Sequence, residues 1–390
     1  MSPSFLFNAI AVFLHGRAKA SPRGCHHCRH HYRLRYPLHR PTRLHRAAAQ
    51  LVAIIGTCAA LSGCAVTFPT PTPPASTAAL INGGNDGLLI PLHVERADED
   101  HARLGLPVQL DGKSLYVALD TGTQGVRVVK STLPGTRYPN AGPVTTLPLA
   151  NGAQVSGAAV TLSLGIAGLK PATITAQAVD KVDCQAGMRR CVGTDGYTGE
   201  FGWAFSGLLG IGAAQPDDSC CTQPLRALPG NVGQRYLVHA NFAKPYLVLS
   251  PSNGLTKDYL SVPMVVAPDG TVQWPRGCVN VADRMTFCAP LVFATASTDM
   301  IRIETDKAPN WTGDDDIGKV LKRGNYNTAV GSGKWVHRYD DAQVTIVKAK
   351  PDANRIVIGL MGMQNLDVLF DFPRHELGLR AVNGSESLVR

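Results

Sequence analysis

No acidic residue occurs before Asp86, although the 390-residue chain carries 29 Asp and Glu. The first 46 residues hold nine Lys and Arg and seven of the twelve His. Beyond Arg46, 29 basic residues face 29 acidic ones, so the formal charge of +9 belongs to the N-terminal stretch and the rest is near neutral. That balance argues against a phosphate-binding footprint, and hence against nucleic acid as a partner. Helical periodicity is scarce. After residue 64 neither CxxC nor HxxxH spacing occurs, and the chain has no His-Glu-x-x-His and no Gly-x-Ser-x-Gly elbow. Gly331-Ser332-Gly333-Lys334 has the look of a phosphate-loop tail, but Thr328 stands where the first Gly is needed and Trp335 follows the Lys. His93, His101, His239, His337 and His375 show no ligand spacing. No metal and no cofactor is expected.

What the N-terminal stretch does contain is a secretory layout. Arg43 and Arg46 precede the apolar run 47–61, which ends in Leu61-Ser62-Gly63-Cys64. This resembles the bacterial lipobox, in which cleavage falls before the Cys and the Cys is diacylated. Cys64 is therefore the expected lipidation site; an ordinary signal peptide or a short buried helix is the alternative. Ala65, rather than Asp, follows the Cys, which resembles the outer-membrane sorting rule. The expected location is the bacterial cell envelope, anchored by lipid to the outer membrane and facing the periplasm. Ahead of the signal, Cys25-His26-His27-Cys28 with His30 and His31 resembles half of a zinc site. We favour a translated upstream region, with the true start at a non-Met codon such as Leu44; no Met lies between Met1 and Met188.

Residues 66–85 are rich in Thr, Pro, Ala and Ser and read as an extended tether. From Leu88 onward short runs of Val, Ile, Leu and Thr alternate with Gly, Pro, Asn and Asp, the texture of an all-β protein. Residues 107–119 read as a hairpin turning at Asp111-Gly112, and 154–169 and 172–179 as further strands. The best helix candidate follows Asp314-Asp315-Asp316, where Ile317, Val320 and Leu321 share a face and the acids suit an N-terminus. Six cysteines follow Cys64: Cys184, Cys191, Cys220, Cys221, Cys278 and Cys288. An even number in an exported chain suggests disulfides. Cys184 with Cys191 and Cys278 with Cys288 would close short loops; Cys220 and Cys221 either bridge each other or pair elsewhere.

The chain is organised around residues 115–129, where an apolar strand delivers Asp120 into the turn Thr121-Gly122-Thr123 and a second apolar run leaves. A carboxylate at the end of a buried strand requires donors, which Thr121, Gly122 and Thr123 could supply. The pattern returns 174 residues later at 291–303, with Ala294 at the place of Asp120 and Ala296 at the place of Gly122. Each copy has a later apolar-apolar-Gly run, Leu208-Leu209-Gly210 and Leu360-Met361-Gly362, suited to a strand passing close behind the turn. Each run precedes a strand with a polar end, Tyr246 to Ser250 and Val368 to Asp371.

Together these residues resemble the pepsin-like aspartic peptidases, over about residues 88 to 382. The resemblance implies an all-β, two-lobe double β-barrel with a few short helices. Its domains are a signal-bearing extension (1–63), a tether (64–86), an N-terminal lobe (87–252) and a C-terminal lobe (253–390). It also implies a disulfide between Cys278 and Cys288, just before the second turn. In the family, Asp120 with Thr121 and Gly122 would form half of a catalytic dyad in which two carboxylates share one proton. Here Ala294 replaces the second acid, Ala296 replaces a glycine whose N–H points at the acid, and the flap stretch 149–157 has no Tyr. Asp299, aligned with Gly125 at the exit of the turn, and Glu304 and Asp306 beyond it lie too far along to substitute. The expectation is a monomeric, catalytically inactive lipoprotein that binds a peptide or an envelope partner. The alternatives are an active aspartic peptidase using Asp120 with an unrecognised second group, or a purely structural envelope component.

Overall fold

At Asp111 and Gly112 the backbone takes φ of 47° and 79°, the two-residue turn whose twist matches that of antiparallel strands. It joins Ala102–Leu110 to Lys113–Asp120 with Leu110 opposite Lys113, so the expected hairpin forms and begins earlier than residue 107. The computed structural model describes residues 78–96, 102–135, 138, 142–149, 153–185, 205–214, 220–281, 285–321, 323–331 and 333–382. All belong to the compact unit Thr67–Arg390. The signal, the lipobox with Cys64 and the Cys25–His31 cluster lie outside the described residues.

Strands dominate. The first half builds an eight-stranded sheet in the order His93–Arg96, Ala102–Leu110, Lys113–Asp120, Gly207–Ile211, Gln124–Val129, Ala172–Cys184, Ala153–Ile166, Val144–Pro148. Ala102–Leu110 also pairs with Ala153–Ile166, which closes six of these strands into a barrel. Closure leaves no bare edge in that ring, and Leu104, Leu106, Val117, Leu119, Val126 and Leu164 fill its core.

The second half repeats the pairing. Lys113–Asp120 runs parallel to Gly207–Ile211, which is antiparallel to Gln124–Val129, itself parallel to Ala172–Cys184. Met285–Ala294 likewise runs parallel to Arg355–Gly359, which is antiparallel to Ile301–Thr305, itself parallel to Val344–Lys348. Ala294 thus occupies the place of Asp120. Its glycine partner is Gly359, in register with Ala294 as Gly210 is with Asp120. The run that answers Leu208-Leu209-Gly210 is therefore Val357-Ile358-Gly359, three residues before the expected Leu360-Met361-Gly362. Both glycines are required by close passage. A Cβ on Gly210 would meet the Gly125 carbonyl oxygen at 2.8 Å, and one on Gly359 the Asp299 carbonyl oxygen at 2.1 Å.

A third sheet joins the halves, in the order Ala79–Leu80, Leu88–Pro91, Tyr246–Leu249, Arg235–His239, Leu366–Asp371, Glu376–Ala381, Leu260–Pro263. Its centre is symmetric, with Leu237 opposite Leu369 and His239 opposite Asp367. Residues 78–86, expected to end the tether, instead form an edge strand and a 3-10 turn against this sheet. Asp367 is fully buried there. It takes His239 Nδ1 at 2.5 Å, Tyr259 Oη at 2.9 Å and Arg380 Nε at 3.1 Å. Burial works to raise its pKa, but the hydrogen bonds and charges of His239 and Arg380 prevail and hold it below the usual carboxylate value.

The helix expected after Asp316 does not form. A single 3-10 turn, Asp314–Asp316, gives way to extended backbone at Ile317 and to φ 90° at Gly318. The amides of Gly318 and Leu321 donate to Ile346 and Val344, so the segment joins a sheet edge. A free helix this short has too few hydrogen bonds to offset its nucleation. Among the described residues, the helical elements are four 3-10 turns.

Candidate functional site

Lys113–Asp120 places Tyr116, Ala118 and Asp120 on one face by simple alternation. Asp120 is fully buried. Its Oδ1 accepts the Gly122 amide at 2.8 Å and the Ala296 amide at 3.4 Å, and its Oδ2 accepts the Thr123 hydroxyl at 2.8 Å. Two of the three expected local donors are therefore used. Ala296 aims its backbone N–H at the acid, a donor that alanine supplies as well as glycine would.

Thr121, the third expected donor, reaches the other half instead. Its amide donates to Thr295 Oγ1 at 3.1 Å and the Thr295 amide returns the bond to Thr121 Oγ1 at 3.1 Å. Each hydroxyl then donates to the carbonyl two residues before the other threonine, Thr121 to Phe293 at 2.6 Å and Thr295 to Leu119 at 2.7 Å. Four buried hydrogen bonds thus lock the two turns in a reciprocal grip, each worth about 1 kcal/mol net. The fit is tight: a Cβ on Gly122 would lie 2.5 Å from the Ala294 Cβ.

Asp120 also has a cation near it that the sequence reading did not single out. Arg103 is fully buried. Burial lowers its pKa to about 10, while the Asp120 carboxylate acts in the opposite sense. The signal was present in the hairpin. The ladder ends at Gly105↔Ala118, and Arg103 lies two residues before Gly105 as Asp120 lies two after Ala118, so hairpin counting carries the two toward each other. The first half thus holds a buried acid with a buried cation whose charge it feels, where the second half has Ala294.

The other acids are engaged elsewhere. Asp299 accepts the Ser297 and Thr345 hydroxyls and Arg302 Nη1, at 3.1, 2.7 and 3.1 Å. It does not align with Gly125. Ladder register gives that place to Met300, because this turn is one residue longer. Glu304 pairs with Arg302 and Arg355.

Above the turns, Leu147, Leu149 and Val155 of the hairpin Val144–Pro148/Ala153–Ile166 pack with Tyr116, Phe205, Leu208 and Ala296 in one buried apolar cluster. The hairpin tip, 150–152, lies outside the described residues. A tyrosine does stand at this cluster, on the strand and not on the hairpin. Tyr116 stacks on Phe205 with centroids 5.0 Å apart, and its hydroxyl donates to Glu95 at 2.9 Å. Burial and the Glu95 charge push its phenol pKa upward.

Cys278 and Cys288 are bonded across their ladder. Cys220 and Cys221 bridge each other. Cys184 is disulfide-bonded, and its expected partner Cys191 lies outside the described residues. Among the described residues no group of three or more His, Cys, Asp and Glu could hold a metal ion. No protein-family model matches the chain, and no curated protein matches it.

Proposed function

We propose that the chain is a pepsin-like lipoprotein of two lobes that has lost peptidase chemistry and serves to bind a peptide or an envelope partner, anchored through Cys64 to the outer membrane and facing the periplasm. The observation that carries the loss of activity is Ala294 standing in the second half where Asp120 stands in the first, with the buried Arg103 guanidinium a charge that interacts with Asp120. An aspartic mechanism needs one carboxylate as base on a water and a second, protonated one as donor to the scissile carbonyl. The Arg103 guanidinium cannot act as that acid, because it stays protonated at working pH. Reciprocal threonines, strand-crossing glycines and an acid-bearing turn support the family reading. So does the joining sheet, to which each half contributes strands.

Binding is the retained role for what remains. The apolar hairpin cluster covers the turns with Leu147, Leu149 and Val155, so a peptide would enter only by displacing that hairpin. The test is cleavage of an unbiased peptide library by the mature protein from Cys64 onward, between about pH 3 and 8, beside Asp120→Asn and Ala294→Asp. No turnover is expected from any of the three. Turnover by the natural chain that Asp120→Asn abolishes would overturn the proposal. Pull-down of peptides from the same library, with no cleavage, is the positive outcome.

A further inference from the structure

A disulfide stabilises a fold chiefly by closing a loop in the unfolded chain, and two adjacent residues enclose no loop. The bridge between Cys278 and Cys288 spans ten residues and does close one. The Cys220–Cys221 bridge acts locally instead. Cys221 sits at φ 84°, a left-handed conformation that residues with a Cβ rarely adopt. It presses on Gly125, where a Cβ would come 2.2 Å from the Cys221 Cβ. Gln124 Nε2 donates to the Cys221 carbonyl at 3.1 Å. On the far side, Thr222 and Thr175 exchange two hydrogen bonds at 3.0 Å each, which anchor the segment to the barrel. Gly125 is the ladder partner of Gly210, and Gly210 is that of Asp120. The bridge therefore bears on the strand that leaves the Asp120 turn, two ladder steps from the acid.

We infer that Cys220–Cys221 is a reversible thiol–disulfide site whose co-reactant is a dithiol, and that its reduction loosens the Gln124–Gly125 segment beside Asp120. Cys221 is partly exposed whereas Cys220 is buried, so a thiolate reaches the Cys221 sulfur first. It forms a mixed disulfide there as the Cys220–Cys221 bond breaks; the electron pair leaves on the Cys220 sulfur, which takes up a proton. The second thiolate of the dithiol attacks the mixed disulfide, closes the reductant's own disulfide and releases Cys221, which is protonated in turn. Two electrons pass to the protein and the dithiol is oxidised. The Cys221 sulfur lies 3.9 Å from the Val126 carbonyl oxygen, so the reduced thiol has an acceptor already beside it. Once the bridge opens, Cys221 is free to leave positive φ, and its contact with Gly125 relaxes. None of this depends on the pepsin-like reading.

The test is graded dithiothreitol on the folded protein, trapping with iodoacetamide, and peptide mass mapping, with amide exchange followed in parallel. Cys220 and Cys221 are expected to label at a dithiothreitol concentration about tenfold below that needed for Cys278 and Cys288. Exchange across residues 121–126 should quicken about tenfold in that partly reduced form and slow again on reoxidation. Labelling of Cys220 and Cys221 only together with Cys278 and Cys288, as the fold opens, overturns the inference. So does early labelling with unchanged exchange at 121–126. The paired substitution Cys220→Ser and Cys221→Ser should reproduce the fast exchange; should it fail to fold, the natural protein decides the matter alone.

Discussion

Lys113–Asp120 and Met285–Ala294 hold the same place in their halves. Each lies parallel to a strand that carries a close-packed glycine, and each hands its turn to a threonine that grips the other. They differ in what the strand delivers. In the first half a carboxylate arrives near a buried guanidinium; in the second a methyl arrives. Backbone architecture and the threonine grip are independent of the acids, since their hydrogen bonds use amides, carbonyls and threonine hydroxyls alone. A half can therefore lose its carboxylate and keep its fold, provided its buried charge is lost with it.

The sharpest way to break that comparison is to take the buried cation away from the first half. Arg103→Met leaves the Asp120 carboxylate its three hydrogen bonds but no nearby guanidinium charge, and should cost about 3 kcal/mol. The double change Arg103→Met with Asp120→Ala copies the alanine of the second half, removes the buried acid as well, and should recover most of that loss. Urea unfolding at neutral pH measures both. A double variant no better than the single would show that the halves are not interchangeable at this point.

Acid sensitivity should separate the halves next. His337, 2 % exposed between Trp335 and Tyr339, belongs to the second half. Burial lowers its pKa from 6.5 to about 4. Between those values the unfolded chain holds a proton that the folded chain does not, so stability falls as pH drops through that window. The slope approaches 1.4 kcal/mol per pH unit and sums to about 3 kcal/mol. Replacing His337 with Gln should flatten the profile between pH 7 and 4, as read by urea midpoints. Asp367 acts in a lower window. Its depressed pKa stabilises the fold above the unfolded value of 3.8 and that contribution is lost as pH falls through the folded one.

The threonine grip gives the smallest and most symmetric prediction. Thr121→Val and Thr295→Val each remove one donated and one accepted hydrogen bond, and each should cost about 2–3 kcal/mol. Because the two hydroxyls serve one network, the double variant should cost less than the sum of the singles. Unequal single costs would mean that the two turns carry different loads despite their matching geometry.

Much of this was legible along the chain. Alternation, Asp-Gly and glycine punctuation marked the strands, and the 174-residue recurrence placed Ala294 at the position of Asp120 before any coordinate did. The apolar-apolar-Gly signal identified Gly210 but slipped by three residues in the second half, where Val357-Ile358-Gly359 and Leu360-Met361-Gly362 both satisfy it. Only pairing register separates them. The Asp314–Asp316 helix failed because local capping chemistry was outweighed by an available strand edge at Val344–Lys348, which no local window contains.

Sequence alone determined the β texture, the recurrence and the contrast of Asp120 with Ala294, because each is written in residue identity and short-range period. Tertiary structure decided what Asp120 lives beside. Arg103 reads as an ordinary strand residue until folding buries it within reach of the Asp120 charge, and Thr121 reads as a local donor until Thr295 arrives from 174 residues away. Both outcomes turn on burial. Once water is excluded, every amide, hydroxyl and charge must find its partner within the protein, and that partner is chosen by the meeting of strands far apart in the chain.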